Sequence, residues 1–409
     1  MPSRTLIGWM FTMIKRATPF QIARAIVSNT RMIMAKPSID WFFYRYLRKF
    51  TVLDVDGKLI LHSHLPPINS RAYSRFLEHH LLSKSIVPSH AQIGVTNICP
   101  QGCEYCYNKN RGGGLMNLET IQRVIRELKE LGVFWVGLTG GEPLLNKDLA
   151  EIIEKIGDEC AVKLFTTGIT LTRQRALELK NAGLYSVSVS LDHQNEAEHD
   201  RIRRYPGAYR IAMDAIEIFK NAGGIHVSVS SVLSRESLKE ETIESYLEFL
   251  ERLGIHEAWL SEAKPSSAEF WRKDFIITPE ERQMLVALQD RYNKKGGMTV
   301  NYLGHFEDAR HFGCTAGHKM IYIDPFGEIS PCVFVPMTFG NVNRASIRDI
   351  YAALVERFPT ENECFINKYY PAIQRNYRGN YPLSKEDSTK TMDEITHTSL
   401  ARFFQLQYR

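Results

Sequence analysis

Three cysteines fall within eight residues, in the stretch Cys99-Pro-Gln-Gly-Cys103-Glu-Tyr-Cys106, with Tyr107 directly after. Thiolates spaced C-x3-C-x2-C on one tight loop can hold three irons of a [4Fe–4S] cube and leave the fourth iron open to a small ligand. Structural zinc is the competing reading, although zinc normally takes four ligands and usually shows paired C-x2-C knuckles. A disulfide framework fits poorly, because a chain of 409 residues can bury a core without covalent staples. Three further cysteines come late. Cys314 and Cys332 flank a stretch that turns at Asp324-Pro325-Phe326-Gly327, so that a short hairpin brings them together, and Cys364 is the candidate third ligand. The bland alternative for this second set is reduced core thiols, which is also the reading for the isolated Cys160.

These residues need a scaffold on which to converge. From about residue 91, short runs rich in Val and Ile alternate with amphipathic stretches, the pattern of repeated βα units around a parallel sheet. Six strands are expected, at 92–97, 133–139, 162–167, 186–191, 226–233 and 257–261. Their near-continuous apolar character predicts burial on both faces. After the first strand, Asn117 can cap a helix whose Leu118, Ile121, Val124, Ile125, Leu128 and Leu131 share one face and which stops at Gly132. The fold class is therefore α/β, a partial (β/α)6 barrel over residues 91–262. A helical extension over 1–90 precedes it, with a hairpin at 51–62 turning at Asp56-Gly57. A partly helical linker (263–304), a turn-rich auxiliary module (305–365) and a tail (366–409) follow it. The cysteine loop then lies just after the first strand, at the end of a barrel where active sites gather. Two more segments share that end: Thr139-Gly140-Gly141-Glu142-Pro143 after the second strand, and Ser190-Leu191-Asp192 after the fourth. Taken alone, the first is an ordinary strand-to-helix turn and Asp192 an ordinary loop acid or cap.

In register with one another, these motifs resemble the radical S-adenosylmethionine superfamily, including the aromatic Tyr105 just before the last cysteine. The resemblance covers about residues 91–262. It implies that Cys99, Cys103 and Cys106 hold a [4Fe–4S] cluster that binds S-adenosylmethionine, with Tyr105 beside the cofactor. It also implies that Gly140, Gly141, Glu142 and Pro143 bind the amino group of the methionine moiety. There the glycines let backbone approach a ligand and Glu142 accepts from the ammonium. Ser190 and Asp192 match the Ser-x-Asp that contacts ribose and carboxylate, and His199-Asp200-Arg201-Ile202-Arg203 continues the common pattern. Thr166-Thr167-Gly168 stands where Thr-Asn-Gly is usual; without the Asn it carries no implied role. Cys314, Gly327 and Cys332 resemble the opening of the SPASM and twitch extensions, and Phe339-Gly340-Asn341-Val342 resembles the Gly-Asn segment that follows. The later cysteine-rich run of a full SPASM domain is missing. One auxiliary [4Fe–4S] cluster on Cys314, Cys332 and Cys364 is thus implied, with an open iron or a fourth ligand such as His305, His311 or His318.

The activity implied is reductive cleavage of S-adenosylmethionine to methionine and a 5′-deoxyadenosyl radical that acts on an unidentified substrate. A flavodoxin- or ferredoxin-type reductant is implied with it. Residues 1–50 hold nine Lys/Arg against the single acid Asp40, a net charge of +8 that leaves −3 for the remainder, so the barrel has no broad nucleic-acid footprint. Thr18 and Pro19 can open a basic amphipathic helix, and Trp41, Phe42, Phe43, Tyr44 and Tyr46 are interleaved with Arg45, Arg48 and Lys49. That composition suits an anionic membrane surface and points to a lipid-like or small-metabolite substrate; the rival reading packs the same aromatic face on the barrel. The start lacks a secretory signal and no apolar run is long enough to span a bilayer, so a cytoplasmic protein, peripheral at the inner face of the membrane, is expected. Two other functions compete. One is a SPASM-type maturase of ribosomal peptides, although the N-terminus lacks a winged-helix leader-binding pattern. The other is a non-catalytic iron–sulfur or zinc protein, which has no use for an ammonium-binding glutamate.

Overall fold

A computed structural model describes residues 37–407, apart from 84, 85, 359, 398 and 399. The basic helix expected from Thr18 onward lies outside the described residues. A small antiparallel hairpin comes first, β1 (Leu53–Val55) and β2 (Lys58–Ile60). Its turn residues Asp56 and Gly57 both take positive φ (52° and 77°), the conformation that a two-residue hairpin turn requires. The main sheet begins with β3 (His90–Thr96) and continues through β4 (Trp135–Gly140), β5 (Ala161–Thr166), β6 (Ser186–Ser190), β7 (His226–Leu233) and β8 (Glu257–Glu262). All six pair in parallel with their sequence neighbours. Every residue of β4 and β8 is buried, as strands covered on both faces must be.

The helices between them follow their punctuation. Asn117 caps the helix Leu118–Leu131 by accepting from the Thr120 amide at 2.9 Å, and Gly132 ends it at φ 102°. Ile121, Val124, Ile125, Leu128 and Leu131 are its buried face.

The sheet is wider than the six-stranded expectation. In the segment read as a linker, the helix Pro279–Lys295 leads into β9 (Thr299–Tyr302), which adds in parallel to β8. At the opposite edge, β10 (Met320–Ile323) of the auxiliary module pairs in parallel with β3 and antiparallel with β11 (Ile329–Ser330). The nine strands run β11-β10-β3-β4-β5-β6-β7-β8-β9. The expected cysteine hairpin is therefore real, and it is also an edge of the barrel sheet.

A layer of rings packs at the N-terminal ends of the strands, where Phe134, Trp135, Ala161 and Tyr185 stand. The helix Pro37–Leu47 buries Phe42, Phe43 and Tyr46 against Phe312 and Phe403, with ring centroids 5.1 Å apart for both Phe42–Phe312 and Tyr46–Phe312. The helix Arg402–Gln407 of the tail supplies Phe403. This corrects the membrane reading for the aromatic run: Phe42, Phe43 and Tyr46 face the protein, and only Trp41 among the described large rings of that run is exposed. No helix among the described residues is long and apolar enough to cross a membrane.

Candidate functional site

The C-terminal ends of β3 and β4 cross closely, and this contact positions the cysteine loop. The amides of Gly141 and Glu142 donate to the carbonyls of Thr96 and Ile98, at 2.6 and 2.7 Å, immediately before Cys99. A Cβ on Gly140 would lie 2.3 Å from the Thr96 oxygen, and one on Gly141 would lie 2.3 Å from the Ile98 oxygen. The glycine pair is thus required by the backbone that launches the loop. On the far side, the Gly102 amide donates to the Arg203 carbonyl at 3.0 Å, where the helix Glu196–Arg203 ends.

Cys99, Cys103 and Cys106 line one cavity of about 260 Å³ together with Tyr105, Gly140, Gly141, Glu142 and Ser190. Burial pushes the Cys99 thiol up to about 11, with the neighbouring Glu142, Cys103 and Cys106 adding to the rise. Burial also raises Cys103, against the opposing pull of the Arg203 cation. Such thiols ionise in use only when a metal or cation takes up the charge.

Glu142 is fully buried and already engaged. Its Oε1 accepts from the Leu144 amide (3.0 Å) and Thr166 Oγ1 (2.6 Å), and its Oε2 from the amide and hydroxyl of Thr167, both at 2.6 Å. Burial raises its pKa while these donors hold it down. Thr166 and Thr167, which the sequence left without a role, clamp this carboxylate. Asp192 is placed behind the cavity wall rather than on it. Its carboxylate receives the Tyr105 hydroxyl and the Val232 amide and pairs with Arg203, so the guanidinium and Ser190 form the wall there. Pro143 likewise starts a short 3-10 turn and does not line the cavity.

Cys314, Cys332 and Cys364 line the same cavity. Burial raises Cys332 to about 12 and Cys364 to about 11; neighbouring charge from Cys364 adds to the first and from Glu307 to the second. None of the three histidines suggested as a fourth ligand lines this cavity. His318 bonds the Phe358 carbonyl at 2.7 Å, His305 bonds Gln289 at 2.8 Å and stacks on Tyr46, and His311 packs on His305. Besides Glu142 and Arg203, the charged groups that line it are Lys264, Glu262 and Glu307, on and beyond the end of β8. Lys264 Nζ contacts Glu307 at 2.8 Å and Glu262 at 3.2 Å, and Arg282 closes the set on Glu262 at 2.8 Å. The sequence signal for these was only their place at a strand's C-terminal end. Cys160 bonds the Val133 carbonyl in the core, as expected of a structural thiol.

Each thiol set faces the cavity, yet among the described residues no three metal-ligating side chains converge closely enough for a single ion.

Comparison with known proteins agrees with this donor chemistry. Residues 93–253 match the Radical SAM superfamily, and residues 314–366 match the iron-sulfur cluster-binding domain SPASM. The AdoMet-dependent heme synthase of Methanosarcina barkeri is 25% identical over 279 residues, covering 62% of this chain and 79% of that protein. The PqqA peptide cyclase of Bradyrhizobium diazoefficiens is 26% identical over 260 residues, 60% of this chain and 67% of that one. Streptococcus suis SuiB, solved bound to its precursor peptide SuiA, superposes with a TM-score of 0.59 at 15% identity, covering 77% of this chain and 79% of that one. Its likeness is one of fold. With both iron–sulfur modules matched around a shared cavity, the chain belongs to the radical S-adenosylmethionine superfamily, as an enzyme that uses S-adenosylmethionine, a [4Fe–4S] cluster and a SPASM-type auxiliary cluster.

Proposed function

We propose that this enzyme modifies a peptide, with the reacting side chain held between its two clusters. The observation that carries the reading is the shared cavity, which Cys99, Cys103 and Cys106 line together with Cys314, Cys332 and Cys364. Relatives named for peptide chemistry, the PqqA cyclase among them, bear on the same point and favour it over the lipid-like substrate drawn from the basic N-terminus. The inward-facing aromatic helix removes part of the case for that lipid.

When bound, the cluster and S-adenosylmethionine would supply one-electron radical chemistry to the substrate. The chain's own residues orient and exclude water. In this reading Cys99, Cys103 and Cys106 ligate the first cluster, and Tyr105, Gly140, Gly141, Glu142 and Ser190 contact the cofactor. Trp259 and Phe165 form an apolar floor. Beneath them the buried Lys163 donates to Ser63 at 2.5 Å and lies 3.5 Å from the Trp259 ring centroid, its pKa lowered by burial to about 7. Lys264 and Glu307 offer a cation and a carboxylate near the second cysteine set, suited to the termini or polar groups of a peptide. An external one-electron donor of the flavodoxin or ferredoxin class completes the reaction.

The test is an anaerobic assay with reconstituted protein, dithionite and short peptides encoded beside its gene. Formation of 5′-deoxyadenosine should be stimulated by one of them, with a mass change in that peptide. The heme synthase relative makes a tetrapyrrole the second candidate. Stimulation by a tetrapyrrole, with all peptides inert, would replace the peptide reading.

A further inference from the structure

Arg203, paired with Asp192, reaches a thiol of the first cysteine loop. Arg203 Nη1 donates to Cys103 Sγ at 3.7 Å, while its Nε lies 2.8 Å from Asp192 Oδ2. That second contact is an ion pair without a well-aimed N–H, because Nε has no hydrogen-bond partner by angle. The two side chains are only 8% and 1% exposed, so water screens them weakly. Both are fixed from several sides. Asp192 Oδ1 accepts from the Val232 amide at 2.9 Å, Tyr105 donates its hydroxyl to Asp192, and the guanidinium carbon lies 5.6 Å from the Tyr105 ring centroid. The Arg203 carbonyl also holds the Gly102 amide.

We propose that Asp192 and Arg203 act as an opposed charge pair that sets the reduction potential of the cluster held through Cys103. Hydrogen bonds to sulfur, local net charge and burial are the protein's means of tuning such a cluster. Reduction adds an electron to the cluster. A cationic N–H on its thiolate stabilises the reduced state and moves the potential to less negative values. The Asp192 anion works in the opposite direction through the same guanidinium. Neither residue is a ligand; both are positioning residues. The inference rests on the reading that Cys99, Cys103 and Cys106 hold the first cluster.

The experiment is a potentiometric titration of the reconstituted full-length enzyme, followed by electron paramagnetic resonance. The first cluster is identified as the signal that changes when S-adenosylmethionine is added. Arg203→Gln should move its midpoint to more negative values and Asp192→Asn to less negative ones, with the double variant between them. Opposite signs are the signature, since simple loosening of the loop would move both variants the same way or lower their iron content. Equal potentials in wild type and both single variants at full iron content would overturn the proposal, as would shifts of the same sign. Should Arg203→Gln fail to retain iron, Asp192→Asn and Arg203→Lys carry the test: the first must still shift and the second, which keeps the charge, must stay near wild type. Failure of the underlying reading is separately visible. In that case, replacing Cys99, Cys103 and Cys106 by Ala would leave the S-adenosylmethionine-sensitive signal intact.

Discussion

At the scale of single residues, the site combines groups whose spacing is local with groups that meet only in the fold. The cysteine triplet was legible because its seven intervening and flanking positions form one loop. The clamp on Glu142 was not, because Thr166 and Thr167 lie 24 and 25 positions away on the next strand. Asp192 is the converse case: its motif was recognisable, but the sequence had no means of showing that Arg203 and Tyr105 take up its carboxylate. Two predictions belong here. Glu142→Gln puts an amide where two hydroxyls and two backbone N–H groups all donate, so at least one donor is left facing another. The expected cost is about 1.5–3 kcal/mol of stability, with S-adenosylmethionine binding weakened by a similar amount while the cluster remains. Thermal unfolding and equilibrium binding measure the two effects; an unchanged melting temperature would mean that the clamp does not form. For the cysteines, about eight irons per chain are expected after reconstitution, from two cubane clusters. The Cys99, Cys103 and Cys106 triple Ala variant should keep roughly half and make no 5′-deoxyadenosine. Loss of all iron in that variant would show that the late cysteines hold no independent cluster.

At the scale of elements, hydrophobic runs located all six central strands, and His226–Leu233 was placed to the residue. Of the sheet's outer strands, β10 and β11 were legible as a hairpin but not as part of the barrel sheet, and β9 escaped altogether. β9 is four residues that include Thr299 and Asn301, so it carries no periodic signal of its own, whereas the two residues of β11 were legible only through the turn before them. Their pairing is settled by edges that already exist, β8 for the one and the β3–β10 pair for the other. Motif glycines were legible as turn residues, but their steric reason appears only where β4 meets the entry to the cysteine loop. Gly141→Ala would set a Cβ against the backbone of Ile98, with the carbonyl carbon at 2.6 Å. Backbone cannot swing aside as a side chain can, so the loop must shift. After reconstitution this variant should lose the iron of the first cluster and retain that of the second. Gly112→Ala is the control, since nothing lies within 4 Å of its Cβ position. Equal iron in the two variants would remove close backbone approach as the reason for Gly141.

For the whole molecule, a layer of rings and neutral imidazoles built from both ends of the described chain covers the N-terminal ends of the strands. His62 sits in that layer, 2% exposed and packed on Tyr46 and Phe50, with neither ring nitrogen hydrogen-bonded. Burial lowers its pKa from 6.5 to about 4. Because the folded pKa lies below the unfolded one, its contribution is present above pH 6.5 and is lost as the pH falls from there towards 4, at most about 3 kcal/mol. His62→Leu sacrifices no hydrogen bond. It should lose less stability than wild type between pH 6.5 and 4.5, a comparison in which acid damage to the clusters is common to both; parallel pH profiles would refute it. The aromatic helix Pro37–Leu47 provides the last test. Composition allowed this run to face either lipid or barrel, since both reward the same rings, and pattern alone cannot choose between two apolar surroundings. The fold separates the rings: Phe42 and Phe43 are 8% and 6% exposed, whereas their neighbour Trp41 is 48% exposed. Phe42→Ala and Phe43→Ala should each cost about 3–5 kcal/mol as core truncations, while Trp41→Ala should stay within about 1 kcal/mol. Chemical denaturation of the three variants in lipid-free buffer decides the matter, because a helix whose rings all served a membrane would show three small and similar losses there.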